Sequence, residues 1–264
     1  MPTPVPFGQF VPGDSVVHRL DARVKLALVI AYTVVLFSSR GFAGLGVAAV
    51  AAVGAVVAAR LPWRLALRGL RPVLWLLLFT LIANSLRWQP VVTPLRLGPI
   101  GVSGQGMLTG LFFAARIVLL VVGTSVLTLT TSPVALTDAL SSVMAPLRHL
   151  RVPVDDAAMM FSIALRFVPT TAEEAEKIIV AQTARGAAFD EGGLVKRTRA
   201  WIPVLVPLFV NLFRRADDLA IAMESRCYTG VGRTRLRELR MRTADWAVLA
   251  AGVTAALAAA ILIR

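Results

Sequence analysis

Two triplets that place an arginine between small residues are the strongest candidates for chemistry: Ala184-Arg185-Gly186 and Ser225-Arg226-Cys227. A guanidinium at an exposed helix tip can donate two parallel hydrogen bonds to a carboxylate of another protein. Each arginine could instead only complement the negative end of its own helix dipole. The triplet recurs at matching positions on tandem predicted helices, which favours docking. We therefore predict that the six residues form a protein-docking site.

Two long amphipathic helices between Val154 and Gly230 are predicted to position these arginines. In each helix the apolar residues recur at intervals of three and four, which aligns them on one face, while most charged residues take the other face. The aromatic members that we single out on these apolar faces are Phe161, Phe209 and Phe213. Gly186 predicts the end of the first helix, because glycine readily adopts the left-handed conformation found just after a helix C-terminus.

Catalytic and metal-binding signals are weak by comparison. Gly101-Val102-Ser103-Gly104 matches the serine element of intramembrane proteases, but its nominal base, His149, is predicted on the opposite side of the membrane, beyond hydrogen-bond reach. Asp155-Asp156 and Asp217-Asp218 could suggest a magnesium-dependent transferase, yet Asp155-Asp156 open a helix, where acids complement the dipole. The sequence has no G-x-x-x-x-G-K-[ST] phosphate loop. We predict no catalytic residue, no metal site and no cofactor.

The composition is that of a membrane protein. Of the 264 residues 57% are hydrophobic, and the mean hydropathy is +0.73, whereas soluble domains are about 45–50% apolar. The net charge of +13 comes from arginines that lie between apolar runs. This pattern indicates cytoplasmic loops facing anionic headgroups. The lipid bilayer is therefore a predicted partner, and nucleic acid is not.

Five apolar runs are predicted to cross the membrane: Leu26–Phe37, Phe42–Ala59, Pro72–Leu86, Met107–Leu129 and Trp246–Ile263. The basic segments His18–Lys25 and Arg60–Arg71 are cytoplasmic by the positive-inside bias, so the N-terminus is also predicted there. Residues 87–106 form a loop rich in proline and glycine on the outer side. Arg116 lies within the fourth run, and we expect it to contact a neighbouring carbonyl or acid inside the bundle.

Together these features predict an all-α, polytopic membrane protein with about five transmembrane helices and long amphipathic cytoplasmic helices. We divide the chain into an N-terminal transmembrane region (1–130), a cytoplasmic or interfacial helical region (131–242) and a C-terminal transmembrane helix (243–264). The middle region is predicted to begin with a short helix, for which Ser132 can serve as N-cap and Pro133 as first residue.

Several segments also follow the pattern of a known family. They are Leu20-Asp21-Ala22-Arg23-Val24-Lys25, Leu127–Pro133 with Leu136–Leu140, Ala164–Pro169, and the two arginine triplets. In these segments the chain resembles the transmembrane T component (EcfT/CbiQ-like) of energy-coupling-factor (ECF) transporters, which are ABC importers of vitamins and transition metals. The likeness covers nearly the whole chain from about residue 15. The chain departs from the family pattern at Ala22, where proline is usual, and at Cys227, where glycine is usual.

The resemblance implies that the two long helices are coupling helices and that Arg185 and Arg226 dock into two cytosolic ABC ATPase subunits. It also implies a separate, small membrane substrate-binding (S) subunit, whose expected contacts here are Phe161, Phe209 and Phe213. The protein would lie in the plasma membrane of a prokaryote and would not be an enzyme, since its partners hydrolyse ATP. The alternatives are the substrate-binding permease of an ordinary ABC transporter, or a membrane-embedded hydrolase or transferase.

Overall fold

The computed structural model describes residues 10–88, 95–97, 100–102, 104–150, 152–187, 189, 192–229 and 241–262. Helices dominate the described chain, which confirms the predicted all-α class. Its contacts divide it into two compact units, one of Met1–Val143 with Leu239–Arg264 and one of Met144–Glu238. The functional division at residues 130 and 242 stays a prediction.

The first unit is built from eight of the described helices. They are α1 (Val16–Arg19), α2 (Ala22–Ser38), α3 (Phe42–Ala58), α4 (Trp63–Arg68), α5 (Leu74–Ser85), α6 (Gly104–Thr130), α7 (Pro133–Val143) and α11 (Thr243–Leu262). A 3₁₀ turn at Arg71–Val73 joins α4 to α5. Ser132 caps α7 as predicted, since its hydroxyl accepts a hydrogen bond from the Ala135 N–H at 3.3 Å.

Three short strands begin at Leu86, the last residue of the third predicted span, and otherwise lie within residues 87–106, for which the sequence predicts a loop. They are β1 (Leu86–Trp88), β2 (Leu95–Leu97) and β3 (Ile100–Val102). The sheet order is β1-β3-β2, and both pairs are antiparallel, with Leu86 and Leu95 each opposite Val102. Three residues are too few for the alternation over four to eight residues that marks a strand in a sequence.

Small residues bring the helices of the first unit together. Gly106 and Gly110 face α5, and a Cβ atom on Gly106 would lie 2.3 Å from the Asn84 carbonyl oxygen. Such pairs of small residues let helices in a membrane pack closely. One core cluster joins α3, α4 and α6; its buried members are Ala52, Val56, Ala59, Leu61, Ala66, Val122, Val126 and Leu129. Helix α3 contributes Ala52 and Val56 to this cluster.

Arg116, the charged residue within α6, is used structurally. Its guanidinium donates a hydrogen bond to the carbonyl of Ser39, the C-cap of α2. It also lies over the Phe112 ring, 4.7 Å from the ring centroid. The contact with a backbone carbonyl is one of the two expected from the sequence, and the aromatic ring adds a cation–π attraction.

Two stretches of the described chain are both long and apolar enough to cross a membrane. One combines α4, the 3₁₀ turn and α5 (Trp63–Ser85, 23 residues), and the other is α6 (Gly104–Thr130, 27 residues). Phe42–Ala58 and Thr243–Ala259 are apolar but shorter. Helix α2 carries Arg23 and Lys25 in its first turn, which shortens its apolar part.

The second unit contains the two predicted long helices. Helix α8 covers Val154–Ala184 and α10 covers Ile202–Ser225. A short basic helix, α9 (Leu194–Ala200), precedes α10, and a 3₁₀ turn covers Ala145–Leu150. Pro169 lies inside α8, and Pro207 lies inside α10.

Candidate functional site

The first arginine tip ends α8 in a Schellman motif. Arg185 is the C-cap, and Gly186 follows it with φ +88°. The Gly186 N–H donates to the Thr183 carbonyl at 2.9 Å, and the Ala187 N–H donates to the Gln182 carbonyl at 3.0 Å. These two bonds satisfy carbonyls that a helix end otherwise leaves without partners. Gly186 therefore stops the helix as predicted.

The second tip has the same geometry although a cysteine replaces the glycine. Arg226 is the C-cap of α10, and Cys227 takes the left-handed conformation with φ +54°. The Cys227 N–H donates to the Glu224 carbonyl at 2.9 Å, and the Tyr228 N–H donates to the Met223 carbonyl at 3.0 Å. The departure from the family pattern at Cys227 thus leaves the helix stop intact, at the expense of backbone strain.

All six residues of the two triplets are exposed. Within the part of the chain that the structure describes, no side-chain hydrogen bond or ion pair is recorded for the guanidinium of Arg185 or Arg226. Each guanidinium is therefore free to bind a carboxylate of another molecule in the bidentate mode. The Schellman motif fixes the direction of the chain beside each arginine.

Two contacts set the register of α8 against α10. The Arg215 guanidinium forms an ion pair with Glu174, and the Tyr228 hydroxyl donates a hydrogen bond to the sulfur of Met159 at 2.9 Å. Glu174 follows Met159 in α8, whereas Arg215 precedes Tyr228 in the sequence, so the two helices run antiparallel. More than two thirds of each side chain in the ion pair is buried, and Glu174 Oε2 has no hydrogen-bond partner among the described residues.

The antiparallel register places the two tips at opposite ends of the helix pair. Arg226 lies close to Tyr228 in the sequence, and Tyr228 contacts Met159 near the start of α8. Arg185 lies at the other end, about 39 Å from Met159 along the helix axis at 1.5 Å per residue. The structure therefore does not bring the two arginines together into one site. It presents two similar sites that are too far apart to belong to one small binding site.

The three predicted aromatic contacts are all exposed. Phe161 is 61% exposed, Phe209 54% and Phe213 69%. Phe209 and Phe213 are four residues apart in α10 and share one face of that helix. Phe161 lies about 20 Å along α8 from Glu174, which pairs with Arg215 just after Phe213. The aromatic residues thus form two patches along the pair instead of one.

The weak catalytic signals gain no geometric support. Ser103 lies outside the described residues, and His149 is exposed. Asp217 and Asp218 are exposed on α10. No group of three or more histidine, cysteine, aspartate or glutamate residues that could hold a metal ion occurs within the described ranges.

Lys25 has a structural role that the sequence did not reveal. Its ammonium group is buried and donates hydrogen bonds to the carbonyls of Thr130, at 3.0 Å, and His18, at 3.3 Å. Thr130 ends α6 and His18 lies in the last turn of α1, so one cation satisfies the C-terminal ends of two helices. Two segments that carry the family pattern, Leu20–Lys25 and Leu127–Pro133, meet through this contact.

A model of the CbiQ family, described as "Cobalt transport protein", matches residues 13–237. The chain belongs to this family. The matched segment includes both arginine tips, the buried Lys25 and the whole α8–α10 pair, and it ends before α11. The resemblance inferred from the sequence is confirmed.

Curated relatives agree over nearly the whole chain. Three of them carry the name "Energy-coupling factor transporter transmembrane protein EcfT". The one from Thermosediminibacter oceani is 46% identical to this chain, over 94% of this chain and 93% of the relative. The one from Thermanaerovibrio acidaminovorans is 48% identical, over 93% of this chain and 91% of the relative. The protein of that name from Bacillus subtilis is 39% identical over 92% of both chains. The fold of this CbiQ-family member is therefore that of a membrane protein.

Proposed function

We propose that this chain is the transmembrane energy-coupling subunit of an ECF-type importer. The observation that carries the proposal is the pair of exposed arginine tips. Both are C-terminal helix ends with the same Schellman geometry, and they lie at opposite ends of the antiparallel α8–α10 pair. Two distant, equivalent sites suit two copies of one kind of partner, one at each tip. The name of these relatives, energy-coupling factor transporter transmembrane protein EcfT, supports an energy-coupling role in transport.

The partners at the tips are two cytosolic ABC ATPase subunits. Each would bind one tip arginine through a carboxylate, and ATP-driven movement of the ATPases would move α8 and α10. The chain itself has no phosphate-binding loop, so ATP hydrolysis belongs to the partners and this subunit is not an enzyme.

The exposed apolar faces of α8 and α10 would contact a small membrane substrate-binding (S) subunit. Phe209 and Phe213 form one aromatic patch and Phe161 belongs to another. Apolar side chains with this much exposure are unfavourable in water and suit either lipid or a hydrophobic partner. The movement of the helix pair would reach the S subunit, and through it the substrate, by way of these patches.

The chain would cross the plasma membrane of a prokaryote five times. The spans would be α2, α3, the combined Trp63–Ser85 helix, α6 and α11. The basic segments before α2 and between α3 and α5 support a cytoplasmic N-terminus, because cytoplasmic loops carry the excess of lysine and arginine.

Replacing each tip arginine tests the proposal. The complex purified from the native host is expected to contain two ATPase subunits by native mass spectrometry. Arg185→Ala and Arg226→Ala should each release about one of them, because losing one partner of a buried charged contact costs about 2–5 kcal/mol. The double variant should release both, and the effects should add because sites more than about 7–10 Å apart rarely couple.

Arg214→Ala is the matched control, since Arg214 is exposed on α10 but does not lie at a tip. It should retain both ATPases. Two ATPases retained by the double variant at normal expression would refute docking at the tips and leave the arginines as ordinary helix-end residues.

A further inference from the structure

Four arginines cluster at the start of the Trp63–Ser85 helix: Arg60, Arg64, Arg68 and Arg71. We call them the arginine patch. No acidic residue occurs between Arg60 and Arg71, and all four arginines are exposed. Within the described chain no side-chain hydrogen bond or ion pair is recorded for any of them. The patch therefore carries four charges that no described residue compensates.

The local fold holds these charges outward. Ala66 is fully buried in the core cluster shared with α6, which fixes the inner side of α4. Arg64 and Arg68 are four residues apart and lie on one face of α4. Arg60 precedes the helix in the left-handed conformation, with φ +52°, and Arg71 begins the 3₁₀ turn that follows it.

An apolar, exposed surface continues directly from the arginine patch. In the next turns Leu74 is 57% exposed, Trp75 80% and Leu78 49%. Trp63, among the arginines, is 46% exposed. Arginine and tryptophan next to an apolar helix are typical of the boundary between headgroups and acyl chains.

We propose that the arginine patch binds the headgroup of an anionic phospholipid whose acyl chains lie along α5. Guanidinium groups match phosphate oxygens in charge and in geometry. A soluble anion would gain only the electrostatic attraction of the arginines, because the patch is open to water on its exposed side. A phospholipid also covers the apolar side chains of α5, so both parts of the surface favour the same ligand. This proposal does not depend on ATPase docking.

Competition between phosphatidylglycerol and phosphatidylcholine tests it. Native mass spectrometry of the full-length chain in mixed micelles would measure how strongly the protein prefers the anionic lipid. The double variant Arg64→Gln/Arg68→Gln should lose about fivefold of this preference for each arginine removed, hence about 25-fold in total. Raising the salt concentration should weaken binding of the anionic lipid further, since exposed charges are screened.

Two further variants keep the result interpretable. Lys177→Gln/Arg214→Gln removes the same charge from exposed positions in α8 and α10, and should retain the full preference. Arg64→Lys/Arg68→Lys keeps the charge and should retain most of the preference for the anionic lipid. Circular dichroism checks that every variant keeps its helices.

Three results would overturn the proposal. An equal loss in the two glutamine variants would mean that total charge matters and the patch does not. Displacement of phosphatidylglycerol by inorganic phosphate, well beyond the displacement by sodium chloride at the same ionic strength, would assign the patch to a soluble anion. No lipid preference in the unaltered chain would leave the patch to an acidic protein surface.

Discussion

The residue that follows each tip arginine allows a reciprocal test of how the two long helices end. Gly186 and Cys227 both have a positive φ, +88° and +54°. A residue with a Cβ atom loses about 1–2 kcal/mol in this conformation, while glycine loses about 0.5–1 kcal/mol more backbone entropy on ordering. The difference predicts that Gly186→Ala weakens its helix end by about 1 kcal/mol or slightly less. Cys227→Gly should strengthen the other end by a similar amount.

Steric clashes do not complicate this test, because a Cβ atom added at Gly186 would meet no atom within 4 Å. Hydrogen exchange reports the effect directly, since the amides of Ala187 and Tyr228 close the two Schellman motifs. Because 1.4 kcal/mol corresponds to a factor of ten, exchange at Ala187 should become about fivefold faster in Gly186→Ala. Exchange at Tyr228 should become a few-fold slower in Cys227→Gly. Unchanged or slower exchange in Gly186→Ala would show that the left-handed residue is not what limits the helix end.

Three further predictions concern the isolated chain and its complex. The purified chain alone should show no ATP turnover in a phosphate-release assay, and turnover by a clean preparation would contradict the proposed division of labour. A polar maleimide should label the exposed Cys227 readily in the isolated chain and markedly more slowly in the complex with ATPases; in sealed right-side-out vesicles it should not react, and rapid reaction from outside would invert the proposed topology. Lys25→Met should lower the thermal unfolding midpoint in detergent, because it leaves the Thr130 carbonyl without its charged donor, a loss of about 1.5–3 kcal/mol; an unchanged midpoint would mean that water replaces the ammonium group.

The helices and their ends could be predicted because their signals are local. Gly186 directly after Arg185 marks the end of α8, and Ser132 with Pro133 marks the start of α7. These patterns depend on residues within one turn of each other, and the sequence shows them side by side. The resemblance to a family then linked the two triplets to a common role.

The contacts between distant segments could not be predicted in the same way. The sequence places Lys25 in the basic segment His18–Lys25, which is predicted to be cytoplasmic. In the structure Lys25 is buried against Thr130, which is 105 residues away in the chain. The antiparallel register of α8 and α10 depends on Glu174 with Arg215 and on Met159 with Tyr228. Each of these residues has many possible partners in the sequence, so only the fold selects the pair.

The opposite placement of the two tips restricts which movements can change the distance between them. Bending α8 by 30° at Pro169 would shorten the distance of about 39 Å between Met159 and Arg185 by only about 1.3 Å, because the ends of a bent rod move mostly sideways. Sliding α8 past α10 changes the separation by the full distance of the slide, about 5.4 Å for one helical turn. A one-turn slide would carry Arg215 away from Glu174 and towards a residue one turn along α8. The distance between the two tips therefore reports axial sliding of the two helices and changes little when they bend.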